Sequence, residues 1–208
     1  GDVFSLTPDE ELAIRTSPEL DSFATLVEGF EEPTGQLNFW RLYSFDDLPI
    51  ELISEIYQLF VEDEKTAVYT PPALVRLILE EVLDQSSMDR LLERNEVVLD
   101  PACGSGVFLV EAYRRLILHW RSRNEWKAPT PAKLKELAKF VYGVDIEPSA
   151  IELTNFGLCL AMCDALKPRD IQESVQLFPE LRGKSLHKSC FFDAKAEGKL
   201  PPNVGVAV

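Results

Sequence analysis

The 208-residue chain has no run approaching the ~18 consecutive apolar residues that a membrane-spanning helix needs. Its first residues, Gly1-Asp2-Val3-Phe4, lack the basic-then-apolar layout of a signal peptide. A leading Gly without Met reads as a piece of a longer protein. Cysteine is scarce. The four present, Cys103, Cys159, Cys163 and Cys190, match neither a disulfide scaffold nor a zinc pattern, so no metal is expected. Reduced thiols at core positions fit a cytoplasmic protein. The two histidines, His119 and His187, have no triad or metal set around them and are expected to be structural or exposed. Internal repeats and low-complexity tracts are also lacking, and 46 % apolar with 27 % charged residues describes an ordinary folded chain.

Basic residues are short in one region above all. Residues 1–62 hold 14 acids and two bases, Arg15 and Arg41, and so account for −12 of the formal −14. As a whole-chain figure, −14 speaks against nucleic acid, because phosphate binding depends on clustered Lys and Arg. Resolved along the chain it does not, since residues 63–208 carry 21 acids and 19 bases. The expected organisation is an acidic helical lead-in over 1–62 followed by one main domain over 63–208. In the lead-in, Ile50, Ile53, Ile56, Tyr57 and Phe60 recur at helical spacing.

From Tyr69 onward helical and strand-like patterns alternate, which predicts an α/β fold with a parallel sheet. Thr70 is the expected N-cap of a helix with Pro71 in its first position, and Leu74, Val75, Leu77, Ile78 and Val82 form its apolar face. Val97-Val98-Leu99 reads as a buried strand ending at Asp100, and Gly106 to about His119 as a helix. Val141 to Val144 reads as a second strand ending at Asp145, and Pro148 opens the next helix. Between Arg121 and Phe140 an inserted loop or extra helix is expected. Weaker strand patterns lie near 185–191 and 204–208.

Asp100-Pro101-Ala102-Cys103-Gly104-Ser105-Gly106-Val107-Phe108-Leu109 joins a strand to a helix, the place where α/β sheets hold ligands. A P-loop would need a Lys after the glycines, and none is present. A dinucleotide fingerprint calls for Gly or Ala where Leu109 stands. Asp100 beside the loop would repel a pyrophosphate but would form a charge-assisted hydrogen bond with an ammonium. S-adenosylmethionine, with an α-ammonium and no phosphate, suits these residues. Asp145 is the natural acceptor for ribose hydroxyls.

Three strings in order carry a family resemblance: Tyr69-Thr70-Pro71-Pro72, Asp100-Pro101-Ala102-Cys103-Gly104-Ser105-Gly106 and Gly143-Val144-Asp145-Ile146-Glu147-Pro148. Together they resemble the first motifs of amino-terminal-type adenine-N6 DNA methyltransferases, including those of restriction-modification enzymes. The resemblance implies a class I methyltransferase-like (Rossmann-like) sheet with flanking helices, incomplete at its C-terminus. It also implies that Thr70 contacts the methionine end of S-adenosylmethionine and that Asp100 takes the ammonium. Ala102, Cys103, Gly104 and Gly106 would wrap the same end through their backbone, with Asp145 on the ribose.

Phe191 would lie against the adenine. Cys190 stands where the family usually has an Asp, with Asp193 the nearby carboxylate that would replace it. The family's catalytic Asn-Pro-Pro-aromatic string does not occur in these residues. The chain is therefore expected to bind cofactor without methylating, so that no catalytic residue is assigned. Double-stranded DNA, and a specificity or restriction domain or subunit, would be partners of the complete protein, with no membrane involved. A protein-glutamine methyltransferase and a non-catalytic cofactor-sensing or assembly module are the alternative readings. Between Arg114 and Lys139 eight bases meet two acids, with Trp120 and Trp126 interleaved; a solvated helix face and a DNA-backbone contact are the two readings of this stretch.

Overall fold

The computed structural model describes residues 70–173 and 177–208. The acidic lead-in over 1–62, its helix near 50–60 and the boundary at 62 lie outside these residues. Two helices come first, α1 (Pro72–Val82) and α2 (Gln85–Arg94). They are followed by β1 (Val97–Asp100), α3 (Val107–Arg123), α4 (Pro131–Leu137) and β2 (Val141–Asp145). Next are α5 (Pro148–Asp164), α6 (Pro168–Glu173), β3 (Leu186–Lys188), α7 (Phe191–Ala196) and β4 (Val204–Ala207). All strand pairs are parallel, in the order β3-β2-β1-β4. The chain thus winds outward from β1 through β2 to β3, then crosses back to set β4 on the other side of β1. That reversal puts a topological switch point at the C-terminal end of β1, where open α/β sheets leave a crevice for ligands.

Alternation along each strand divides the core between the two faces. Val98 and Val141 face α3 and α5, joining Leu109, Leu116, Leu158 and Met162 in the larger cluster. Val97, Leu99, Tyr142 and Val144 face the other way, packing with Ala194 of α7 and with Phe191 and Leu200. Each fully buried Leu or Val removes enough apolar surface from water to contribute roughly 1.5–3 kcal/mol before entropy is counted. Gly143 in β2 is required by this packing: a Cβ there would lie 2.6 Å from Leu109 Cδ1 and 3.1 Å from the Cys103 thiol.

The first helix starts one residue later than its sequence implies. Pro71 is the N-cap, Pro72 occupies the first turn, and no side chain caps the helix, so Thr70 is not the cap. A residue before Pro is held in extended conformation, so Pro71, which precedes Pro72, stays outside the helix and the start moves past it. The buried face of α1 is Val75 and Leu79, continued by Leu83, whereas Leu74 and Leu77 are exposed. The insertion between Arg121 and Phe140 contains α4 and a short 3-10 turn, Ala138–Phe140. Its anchor is the fully buried Tyr113 of α3, whose hydroxyl donates to the Leu134 carbonyl at 3.0 Å. The weak strand patterns resolve into β3 and β4, of three and four residues.

Candidate functional site

β1 delivers Asp100 to the switch point with the residue only 5 % exposed. Its Oδ1 accepts the Ala102 N–H at 3.1 Å, its one hydrogen bond among the described residues. Burial pushes this carboxyl up from 3.8 to about 6; the Ala102 hydrogen bond opposes the shift and the Asp145 charge adds to it. A buried acid with one weak donor is stabilised by any cation that reaches it.

The loop beyond Asp100 is held from three sides. The Cys103 N–H donates to the Val144 carbonyl at 3.0 Å, and the Gly106 N–H donates to the Cys103 carbonyl at 2.7 Å. The Gly104 N–H donates to Asp145 Oδ2 at 2.8 Å. From α5, the Thr154 hydroxyl donates to the Gly104 carbonyl at 3.0 Å, with the Cys103 Sγ 3.7 Å from its oxygen. Gly104 and Gly106 both lie in the left-handed region, at φ of +50° and +81°, which explains two glycines in three residues. They differ in surroundings. A Cβ on Gly106 would fall 2.6–2.8 Å from Thr154, whereas one on Gly104 would meet nothing within 4 Å.

Asp145 ends β2 and accepts from both neighbours, since its Oδ1 takes the Glu147 N–H at 2.9 Å. The carboxylate therefore organises the protein, and each oxygen keeps a lone pair for another donor. Next to it Ile146 is 64 % exposed, unusual for a large apolar side chain beside a polar cluster. The Ser189 N–H donates to the Asp145 carbonyl at 2.8 Å, which brings the start of α7 to the same strand end. There Cys190 is the N-cap residue and Asp193 lies in the first turn. Phe191 is half-buried in the second core cluster, edge-on to the exposed ring of Phe192, centroids 5.5 Å apart.

The fold thus gathers Asp100, Ala102, Cys103, Gly104, Gly106 and Asp145 into one hydrogen-bonded unit, with Phe191 linked to it through Ser189. Thr70, ahead of α1, takes no part in that network. The structure adds Thr154 and Ile146 to the residues gathered at these strand ends. A mid-helix Thr carries no local signal, while Ile146 is marked by its place after the strand-end acid.

Most of the basic stretch is engaged within the domain. Arg114 pairs with Asp164, Arg115 with Glu111, Lys127 with Glu125 and Lys133 with Glu136, and both Arg123 and His119 bind Asp89. Arg121 lies over the Trp126 ring, 6.0 Å from its centroid. Arg121 and Arg123 end a 17-residue helix that begins at the loop, and so lie about 25 Å from it along the axis. This arrangement favours the helix-face reading. His187 is buried with its Nε2 2.5 Å from the Tyr142 hydroxyl, a structural contact. Among the described residues no cluster could hold a metal ion, and no helix is long and apolar enough to cross a membrane.

A four-stranded parallel sheet with flanking helices, with a glycine loop and two strand-end acids at its C-terminal end, defines the class: a Rossmann-like α/β domain. Within that class, residues 50–177 match the model of the N-6 DNA Methylase family, and the chain belongs to that family. It is 33 % identical over 124 residues to the type I restriction enzyme MjaVII methylase subunit of Methanocaldococcus jannaschii, covering 51 % of this chain and 19 % of that protein. It is 22 % identical over 190 residues to the type II restriction enzyme and methyltransferase RM.Eco57I of Escherichia coli, covering 73 % and 19 %. A third relative, the adenine-specific methyltransferase PglX of Streptomyces coelicolor, is 29 % identical over 105 residues, 50 % of this chain and 8 % of PglX. The chain therefore spans less than a fifth of each of these relatives. No solved structure matches it.

Proposed function

We propose that this chain is the S-adenosylmethionine-binding part of an adenine-N6 DNA methyltransferase of a restriction-modification system. The observation that carries the reading is Asp100, a 95 %-buried strand-end carboxyl with a single hydrogen-bond donor, beside a glycine loop with open space over Gly104. The residues fit this cofactor. Asp100 receives an ammonium, the loop backbone from Ala102 to Gly106 wraps the same end, and no Lys or Arg in 100–109 offers itself to a phosphate. Asp145 accepts from ribose hydroxyls with its remaining lone pairs. The exposed Ile146 and the half-buried Phe191 supply apolar surface for the adenine.

Bound there, S-adenosylmethionine supplies an electrophilic methyl group. The protein's task in this region is to hold the donor's amino-acid and nucleoside ends so that the methyl faces the acceptor. An adenine amino group reaches such a donor only when its base leaves the DNA stack, a task for an Asn-Pro-Pro-aromatic string absent from these residues. Methyl transfer, DNA binding and association with specificity or restriction subunits are accordingly assigned to the complete protein, in the cytoplasm.

Calorimetric titration of S-adenosylmethionine into this chain and into Asp100→Ala tests the reading. Affinity lower by tenfold or more in the variant supports it, and equal affinity overturns the role given to Asp100.

A further inference from the structure

Thr154 is fully buried in the middle of α5, 50 residues from the loop, yet its hydroxyl donates to the Gly104 carbonyl at 3.0 Å. In a planar trans peptide the carbonyl of one residue and the N–H of the next point in opposite directions. No peptide in the described residues is cis, so drawing the Gly104 carbonyl toward α5 turns the Ser105 N–H away from it. Among the described residues that N–H has no hydrogen-bond partner. It stands one residue before Gly106, the N-cap of α3, where no side chain caps the helix. The alternative peptide orientation would present a carbonyl oxygen on the same side.

We propose that Thr154 is a positioning residue. It fixes the Gly104–Ser105 peptide so that the Ser105 N–H, rather than the Gly104 carbonyl, meets the carboxylate of the cofactor's amino-acid end. The inference rests on the cofactor reading above and adds a residue and a contact to it. Three further observations fit. Gly106 has no room for a Cβ against Thr154, so hydroxyl and loop are in fixed register. The Gly104 N–H is held independently by Asp145, leaving the Gly104–Ser105 peptide as the one that Thr154 controls. Finally, Asp100 receives only a cation, and a zwitterionic ligand end needs a separate donor for its anion.

The test uses the 208-residue chain and two substitutions, Thr154→Val, which removes the donor at nearly constant volume, and Thr154→Ser, which keeps it. S-adenosylhomocysteine and 5′-methylthioadenosine, which lacks the amino-acid end, are titrated into each. The expected result for Thr154→Val is about a fivefold loss of affinity for S-adenosylhomocysteine, with less than a twofold change for 5′-methylthioadenosine. Thr154→Ser should stay within about twofold of the parent for both. Equal losses for the two ligands, or none, would overturn the proposal.

A ligand-free measurement separates this idea from the cofactor reading. If the parent chain binds neither ligand, the cofactor reading fails, while the peptide orientation is still decided by the amide resonances of Gly104 and Ser105. Thr154→Val should shift the Ser105 amide and alter its solvent exchange, with Thr154→Ser leaving both near the parent. Unchanged resonances in Thr154→Val would sink the positioning role.

Discussion

The Gly104 N–H donates a 2.8 Å hydrogen bond to Oδ2 of Asp145, across 41 residues of sequence. The contact ties the loop after β1 to the end of β2, and it gives Asp145 a task before any ligand arrives. Asp145→Ala should therefore destabilise the ligand-free chain by about 2 kcal/mol, because two backbone donors lose a charged acceptor. Asp145→Asn, which keeps one acceptor oxygen, should cost about half as much. Urea denaturation measures both, and an unchanged midpoint in Asp145→Ala would confine its role to ligand.

Asp100 makes the domain pH-sensitive in a definite direction. Its carboxyl is raised from 3.8 to about 6 in the fold, chiefly by burial. Below pH 3.8 both folded and unfolded forms are protonated and no penalty exists. As pH rises toward 6 the unfolded chain ionises first, so stability falls, by about 3 kcal/mol once the folded form has ionised too. Asp100→Asn should remove this decline between pH 4 and 6 and be more stable than the parent at pH 7. A parallel fall in both proteins would contradict it. Ligand affinity should run the other way, rising as Asp100 ionises near pH 6, because an ammonium needs the charged form.

The two loop glycines should respond differently to the same change. Gly106→Ala combines a left-handed φ with a Cβ inside 3 Å of Thr154, for a loss of about 2–4 kcal/mol. Gly104→Ala meets only the backbone cost, about 1–2 kcal/mol, since nothing lies within 4 Å. Its methyl would instead occupy space assigned to ligand. Thermal melts should rank Gly106→Ala as the less stable of the two, with titrations showing Gly104→Ala to be folded but weaker in binding.

Thiol reactivity reports the burial of the loop. Burial pushes the Cys103 thiol up to about 12 and the Cys159 thiol up to about 11; it raises the half-buried Cys163 as well, and Cys190 is also half-buried. Native alkylation at pH 8, read by peptide mass spectrometry, should label Cys190 first, then Cys163, with Cys103 and Cys159 last. Labelling of Cys103 at the rate of a free thiol would mean that the loop opens.

The strand ends were legible because a fully buried parallel strand shows itself as an apolar run stopping at a polar residue, as at Asp100 and Asp145. The face of α1 was not. Leu74 and Leu77 are as apolar as Val75 and Leu79, and periodicity alone does not say which side of the helix meets α3. The N-cap differs from its expected place for another reason: with two consecutive prolines the helix starts at Pro72, and Pro71, not Thr70, is the cap residue. α2 carries little periodic signal because its sequence is strongly polar, with only Met88 and Leu91 buried.

By itself the sequence determined the glycine loop, the two strand-end acids and their order, since these depend on local backbone and side-chain chemistry. It also determined the separation of an acidic first 62 residues from a nearly neutral remainder. Only the tertiary structure decided that Asp145 braces Gly104, that Thr154 underlies Gly106, and that the basic residues of α3 and its neighbours are largely held by nearby acids. The loop contacts join segments 41 and 50 residues apart at the C-terminal ends of β1 and β2. The pairs of Arg114 with Asp164 and Arg123 with Asp89 join different helices, so none of these contacts leaves a mark in the local pattern.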